Sequence, residues 1–259
     1  MQIFIPTYGR SSNQPTFHTL QDAGLNPILV IQDRERHLPA FASMTQNILV
    51  LPNHIRTIAP TRQYILDNYV SEEAFCMVDD DLVFFHRRTD DPTKLRDITQ
   101  AELYKAFTEM EMHLNKGIAH VGFAAREGAN RNVEQFVDNT RIMRVLGYNA
   151  RVLNKVGLRF DDMEVMEDFH VALTLLEHGY PNMILNDYAH NQAGSGAAGG
   201  CSHFRTPELH AENAEKLARL HPRYVKVVEK FTKGAWGGGI RKDVVVQWKK
   251  AIKERAEYV

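Results

Sequence analysis

The 259-residue chain is 44% hydrophobic, 24% charged and 9% aromatic, an ordinary globular composition that excludes wholesale disorder, collagen-like and coiled-coil architectures. Its 31 Lys+Arg and 32 Asp+Glu nearly cancel, but residues 214–259 hold 12 basic and 5 acidic side chains, net +7, while residues 1–213 hold 19 and 27, net −8. Two cysteines are too few for a disulfide framework or a cysteine-based zinc site, and no stretch reaches the roughly 18 apolar residues of a membrane span, so the expected setting is a reducing cytoplasm.

Along the chain, short apolar runs alternate with helical patterns, the signature of βα units and a largely parallel sheet. Ile3-Phe4-Ile5 is the first strand, followed by the loop Pro6-Thr7-Tyr8-Gly9-Arg10 and a helical stretch ending at Ala23-Gly24. Pro27–Ile31 and Ile48–Leu51 are the next strands, and Thr61–Tyr69 is a helix. Ala74–Val78 is a strand buried on both faces that ends in Asp79-Asp80-Asp81 and an arginine-containing loop. A helix over Thr99–Lys116 has Thr99 and Glu102 at capping-box spacing, Leu103, Phe107, Met110 and Leu114 on one stripe, and Gly117 where a C′ glycine belongs.

Beyond the strand Ala119–Phe123, Arg126–Arg131 reads as a polar loop, and Arg141–Leu146 with Ala150–Leu153 as continued sheet of mixed direction. A second strong helix starts at Glu167-Asp168 and closes at His178-Gly179. After Met183-Ile184-Leu185, residues 186–205 form a mobile loop with glycines at 194, 196, 199 and 200. Thr206-Pro207 opens a further helix that His221-Pro222 ends, and a basic segment with Trp248, Lys249, Lys250 and Lys253 follows. The expected division is a catalytic domain over 1–205 and a basic helical extension over 206–259 packed on it.

Three consecutive aspartates after a buried strand repel one another and stay ionised together only if a cation or arginines compensate. Asp79 and Asp81, pointing the same way at a strand end, can share one hard divalent ion that bridges a nucleotide diphosphate. Thr7, Arg10 and Asp33 follow the first two strands, where an open α/β sheet binds nucleotides. Neither a G-x-G-x-x-G nor a P-loop motif is present, which weighs against dinucleotide enzymes and P-loop ATPases. The loop around Gly194, Ser195 and Gly196 has backbone N–H groups that can close over phosphates and exclude water. Arg126, Asn130, Arg131 and the basic tail are candidates for positioning a polyanion; Tyr148 and Trp236 are candidates for core packing first and for stacking second.

The run IFIPTYGR (Ile3–Arg10), Ala59-Pro60-Thr61-Arg62-Gln63, Val78–Asp81 and Met166-Glu167-Asp168 resemble the ordered landmarks of GT-A glycosyltransferases. More specifically, Ala125–Gly128, Val165–Phe169, Leu185–His190 and Ala197–Ser202 resemble the bacteriophage TET-associated glycosyltransferases. The resemblance implies an α/β, GT-A-like sheet flanked by helices, and transfer of a sugar from a UDP-sugar to the hydroxymethyl group of 5-hydroxymethylcytosine in DNA. It implies Mn²⁺ or Mg²⁺ held by Asp79 and Asp81 with His190 as a third ligand and Asp80 in support. It also implies donor contacts from Pro6, Thr7, Tyr8, Arg10, Asp33 and Arg62, with Asp168, seconded by Glu167, as general base. Arg126, Glu127, Asn130, Arg131 and His170 would face the acceptor; His170 stands where many inverting GT-A enzymes carry another acid. No membrane and no obligate protein partner is implied. The competing classes are a glycosyltransferase with a non-DNA acceptor, a metal-dependent nucleotidyltransferase, for which only Arg10 is available after the first strand, and a phosphoesterase; a non-enzymatic DNA-binding module fits poorly with a net charge of −1.

Overall fold

Ile3 and Ile5 pack in one cluster with Leu103 and Phe107, whereas Phe4 between them packs in another with Ile65, Leu153 and Val171. A strand apolar on both faces belongs inside a sheet covered on both sides. The computed structural model describes residues 1–44, 47–129, 132–192, 206–232 and 239–256, and shows such a sheet.

The elements are β1 (Gln2–Pro6), α1 (Pro15–Asp22), β2 (Pro27–Gln32), α2 (Pro39–Met44), β3 (Ile48–Leu51), α3 (Ile58–Asn68), β4 (Ala74–Val78), β5 (Leu82–Arg87) and β6 (Leu95–Asp97). They continue with α4 (Gln100–Asn115), β7 (His120–Ala125), α5 (Arg126–Ala129), β8 (Phe136–Asp138), β9 (Val145–Asn149), α6 (Ala150–Val156), α7 (Glu167–Glu177) and β10 (Asn182–Gln192). The last are α8 (Pro207–Leu220), β11 (Val225–Thr232), β12 (Gly239–Val246) and α9 (Trp248–Ala256). None of the described helices is long and apolar enough to cross a membrane.

The 10-stranded sheet has the order β3-β2-β1-β4-β9-β7-β10-β5-β6, with β8 also paired to β10. β1 to β4, β6, β7 and β10 run one way, and β5, β8 and β9 run against them, so the sheet is mixed and mostly parallel, as expected. From β1 the chain moves outward through β2 and β3, then returns to place β4 on the other side of β1. The loops at the carboxyl ends of β1 and β4 therefore border the crevice where an open α/β sheet takes its ligand.

The capping box of α4 is present in full: Thr99 accepts from the Glu102 N–H while Glu102 reaches back to the Thr99 N–H. Such a cap is worth about 1 kcal/mol. Residues 150–153, expected as strand, are the first turns of α6, because the Asn149 side chain caps the Val152 N–H and turns the chain out of β9. The arginine-containing loop after Asp81 is the strand pair β5–β6, and Arg126–Ala129 is a short helix. Residues 186–192 extend β10 through a bulge between Leu185 and Ala189; the rest of the expected glycine loop, 193–205, lies outside the described residues.

The extension after residue 206 is not helical throughout. β11 and β12 form a separate antiparallel ribbon between α8 and α9. Leu217, Tyr224, Val225, Val244 and Ala251 pack with Met163, Met166, Leu173 and Leu176, so the ribbon and its helices sit on the buried side of α7.

Candidate active site

The acid triplet splits. β4 ends at Val78, and the tight turn into β5 abolishes the strand alternation that would send Asp79 and Asp81 the same way. Asp80 and Asp81 both meet Arg10, at 2.5 and 3.0 Å, whereas Asp79 meets Arg62 at 3.3 Å. Thr7 donates to the other Asp80 oxygen at 2.6 Å and is itself held by Gln14 at 2.6 Å. Thr16 ties the turn down, donating to the Asp79 carbonyl and accepting from the Leu82 N–H.

Burial pushes the Asp80 carboxyl above its ordinary range, against the pull of Thr7 and Arg10. Burial works against the Arg10 guanidinium, but Asp80 and Asp81 outweigh it and hold it above its usual value. Thr7 and Arg10 are thus brought to the triplet as expected, while Asp33 lies apart, bonded to Asn53 and Arg36. The Tyr8 ring carries the Arg34 guanidinium 4.5 Å from its centroid, and the Gly9 N–H donates to Glu35 at 2.8 Å.

Arg62 links this cluster to the next. From the first turns of α3 it reaches Glu167 at the N-terminus of α7, 2.6 Å away, as well as Asp79. Burial lowers its pKa first, yet Glu167 and Asp79 together raise it, so the guanidinium is charged. Asp168 turns the other way and accepts from the Arg141 Nε and Nη2 at 2.8 and 2.7 Å. The Arg141 guanidinium lies flat over Phe169, 4.1 Å from the ring centroid, which fixes the plane of its donors. Asp168 and Arg141 line a cleft of about 360 Å³ together with Phe169, His210, Lys230, Arg241, Asp243 and Trp248.

Met166, directly before Glu167, and Arg144, whose carbonyl accepts from the Asp79 N–H, both have positive φ, 64° and 66°. Left-handed backbone at bulky residues costs about 1–2 kcal/mol each, and its concentration around Asp79 and Glu167 is what strain held at a functional site looks like.

Other expected residues lie elsewhere. His190 is fully buried on β10 between β7 and β5; burial first, then the charge of Arg144, lower it to about 3, so it is neutral. Asp79, Asp81 and His190 do not converge: among the described residues no three His, Cys, Asp or Glu side chains form a group able to hold a metal ion. His170 follows Asp168 by two positions, which on a helix sends it to the far side. There it hydrogen-bonds His221 at 2.9 Å and is absent from the lining of that cleft. Arg126 is exposed and stacks on Phe85, and Glu127 pairs with Arg144 at 3.7 Å. Tyr148 is a core residue, stacked on His120 at 4.3 Å. Asn130, Arg131, Gly194, Ser195, Gly196 and Trp236 lie outside the described residues. Sequence reasoning missed Arg141, Arg144, Gln14, Thr16 and Glu35, none of which stands in a motif.

Comparison with known proteins supplies a family. A family model described as TET-Associated Glycosyltransferase matches residues 1–200. The beta-glucosyl-HMC-alpha-glucosyl-transferases of Enterobacteria phages T2 and T6 are each 25% identical to this chain over 239 residues, covering 87% of it and 83% of the relative. Among solved structures, GalNAc-T7 with UDP, GalNAc and Mn²⁺ aligns at TM-score 0.48 and 7% identity, over 84% of this chain and 48% of that one. CMP:2-keto-3-deoxy-manno-octonic acid synthetase with CTP aligns at 0.43 and 14%, over 71% and 88%. At such scores neither structural similarity carries weight.

Proposed function

The chain belongs to the TET-associated glycosyltransferase family, and we propose that it transfers a sugar from a UDP-sugar to 5-hydroxymethylcytosine in DNA. The observation that carries this reading is the Asp168 carboxylate, held by two donors of Arg141 in the lining of a cleft of about 360 Å³. Arg141 holds that carboxylate in one orientation, as a general base needs if it is to take the proton from an acceptor hydroxyl as it attacks the donor sugar. Glu167, already engaged by Arg62, holds the wall between donor and acceptor sides rather than sharing the proton.

The donor belongs in the crevice between β1 and β4. Tyr8 and Asp33 lie toward the nucleoside end, and the turn carrying Asp79 to Asp81, with Thr7 and Arg10 bonded to it, lies toward the diphosphate. A divalent cation fits these residues in one form only. Arg10 and Arg62 already answer the repulsion within the triplet, and no three-residue cage exists among the described residues. Mg²⁺ is commonly held by one or two carboxylates with substrate phosphates completing its shell. A single carboxylate, Asp79, 29% exposed, or Asp81 across the turn, would therefore hold Mn²⁺ or Mg²⁺ together with the donor's phosphates; the ion would supply charge neutralisation on the departing diphosphate.

The names of the phage relatives specify an acceptor that already carries glucose. The decisive experiment incubates the protein with a panel of UDP-sugars, Mn²⁺ or Mg²⁺, and duplexes containing either hydroxymethylcytosine or its glucosylated form, followed by nucleoside mass spectrometry. A hexose added to either duplex supports the assignment and picks the acceptor. UDP-sugar turnover with no mass change in either DNA would sink it.

A further inference from the structure

Lys230 and Arg241 are direct cross-strand partners in the β11–β12 ribbon, and Phe231 and Ile240 are partners one rung nearer the turn. Side chains of successive rungs leave a strand on opposite faces. Lys230 and Arg241 line the cleft that holds Asp168 and Arg141. Both lie against one acid, Asp243, at 3.3 and 3.1 Å, so two cations meet a single carboxylate and a net positive charge faces the cleft. Phe231 and Ile240 are 69% and 73% exposed, the two most exposed large apolar side chains among the described residues. The segment that carries them is the basic part of the chain, net +7 over residues 214–259.

A base inside a duplex cannot present its hydroxyl to a carboxylate in a cleft; it must leave the stack. Proteins that open a duplex neutralise phosphates with Lys or Arg and insert apolar side chains between base steps. The ribbon offers both on adjacent rungs, beside the proposed base. We propose that it wedges into the acceptor duplex: on the face toward the cleft Lys230 and Arg241 hold the backbone phosphate of the flipped nucleotide, and on the opposite face Phe231 with Ile240 packs against the stack that the target base vacates. This rests on the proposed transfer to DNA and assigns the recognition of duplex to an element outside the residues 1–200 matched by the family model.

The test compares wild type with Lys230→Gln/Arg241→Gln, the charge-keeping Lys230→Arg/Arg241→Lys, and Phe231→Ala/Ile240→Ala. Lys105→Gln/Lys116→Gln, two exposed lysines at and after α4, controls for net charge. The Gln pair should raise the duplex KM at least tenfold and flatten the log–log salt slope of duplex binding by about 1–2; the charge-keeping pair should restore both, and the control should behave as wild type. The Ala pair should lose at least tenfold in transfer to duplex while keeping transfer to the same sequence as a single strand. An unchanged duplex KM in the Gln pair, or equal loss on duplex and single strand in the Ala pair, would overturn the proposal. If wild type moves no sugar to any DNA, fluorescence anisotropy on unmodified duplex still decides: salt-dependent binding that the Gln pair loses supports the ribbon's role, and absence of wild-type binding refutes it.

Discussion

Arg62 and Glu167 meet across 105 residues of chain in a buried ion pair, 2.6 Å between Nη1 and Oε1, with 6% and 4% of their side chains exposed. The pair joins the start of α3 to the start of α7, and through its second contact to Asp79 it joins the proposed donor and acceptor sides.

Removing one partner of that pair leaves the other charged and buried. Arg62→Met should destabilise the protein by about 3–5 kcal/mol, and Arg62→Met/Glu167→Leu by clearly less than the sum of the two single changes. Urea unfolding of the four proteins measures this; additivity would mean that the two side chains act independently.

Asp168→Asn keeps the shape of the side chain and removes its basicity. Turnover should fall by about 10²–10⁴, with UDP affinity by calorimetry within about threefold of wild type. Arg141→Lys, which keeps the charge but cannot offer two donors on one plane over Phe169, should fall between the two. Equal loss of UDP affinity and rate in Asp168→Asn would assign the residue to donor binding instead.

Asp79→Ala and Asp81→Ala test the cation. Mn²⁺ should bind wild type weakly alone and tightly with UDP, a cooperativity that calorimetry reads directly and that one of the two variants should lose. Full sugar transfer in the presence of a chelator would remove the cation from the scheme.

Acid should loosen the fold through its buried histidines. His120 and His170 are lowered to about 4, chiefly by burial, against about 6.5 in the unfolded chain. Between those values the unfolded state binds more protons, so stability is intact above pH 6.5 and is lost as pH falls toward 4, by about 2 kcal/mol per histidine at pH 5. Melting temperature should fall from pH 7 to pH 5 in wild type and fall less in His120→Asn. A flat profile over that range would show that neither imidazole is held neutral.

Gly122 on β7 tests whether packing behind the site tunes it. A Cβ there would strike the Ile142 side chain and lie 2.8 Å from the Val145 carbonyl oxygen. Gly122→Ala should cost about 1–3 kcal/mol of stability and, because Ile142 adjoins Arg141, lower kcat more than UDP affinity. Loss of stability with unchanged kcat would uncouple the two.

Much of the scaffold is legible in the chain itself. β4 is readable because Ala74 to Val78 is apolar throughout, and α4 because Thr99, Glu102 and Gly117 mark both its ends. Residues 150–153 misled because a short apolar run does not distinguish strand from helix, and the deciding contact is a single cap from Asn149. The β11–β12 ribbon hid because Lys226 and Lys230 stand four positions apart, which reads equally well as a solvated helix face. At the site, Thr7, Arg10 and the aspartates announced themselves by standing at strand ends. Arg141 and Arg144 did not, since nothing local to them foretells which acids they meet. Of the two compensations the sequence leaves open, a shared cation is the more economical, and the structure places the arginines, Arg10 and Arg62, against the triplet.

Thr7 and Asp80 are 73 positions apart, Arg10 and Asp80 are 70, and Arg62 and Glu167 are 105. Such separations place the protein among chains that fold slowly, because loop closure precedes any reward from the contacts. No nascent fragment ending before Glu167 holds the Arg62–Glu167 pair, so on the ribosome the two sides of the proposed site stay unlinked until that residue has emerged.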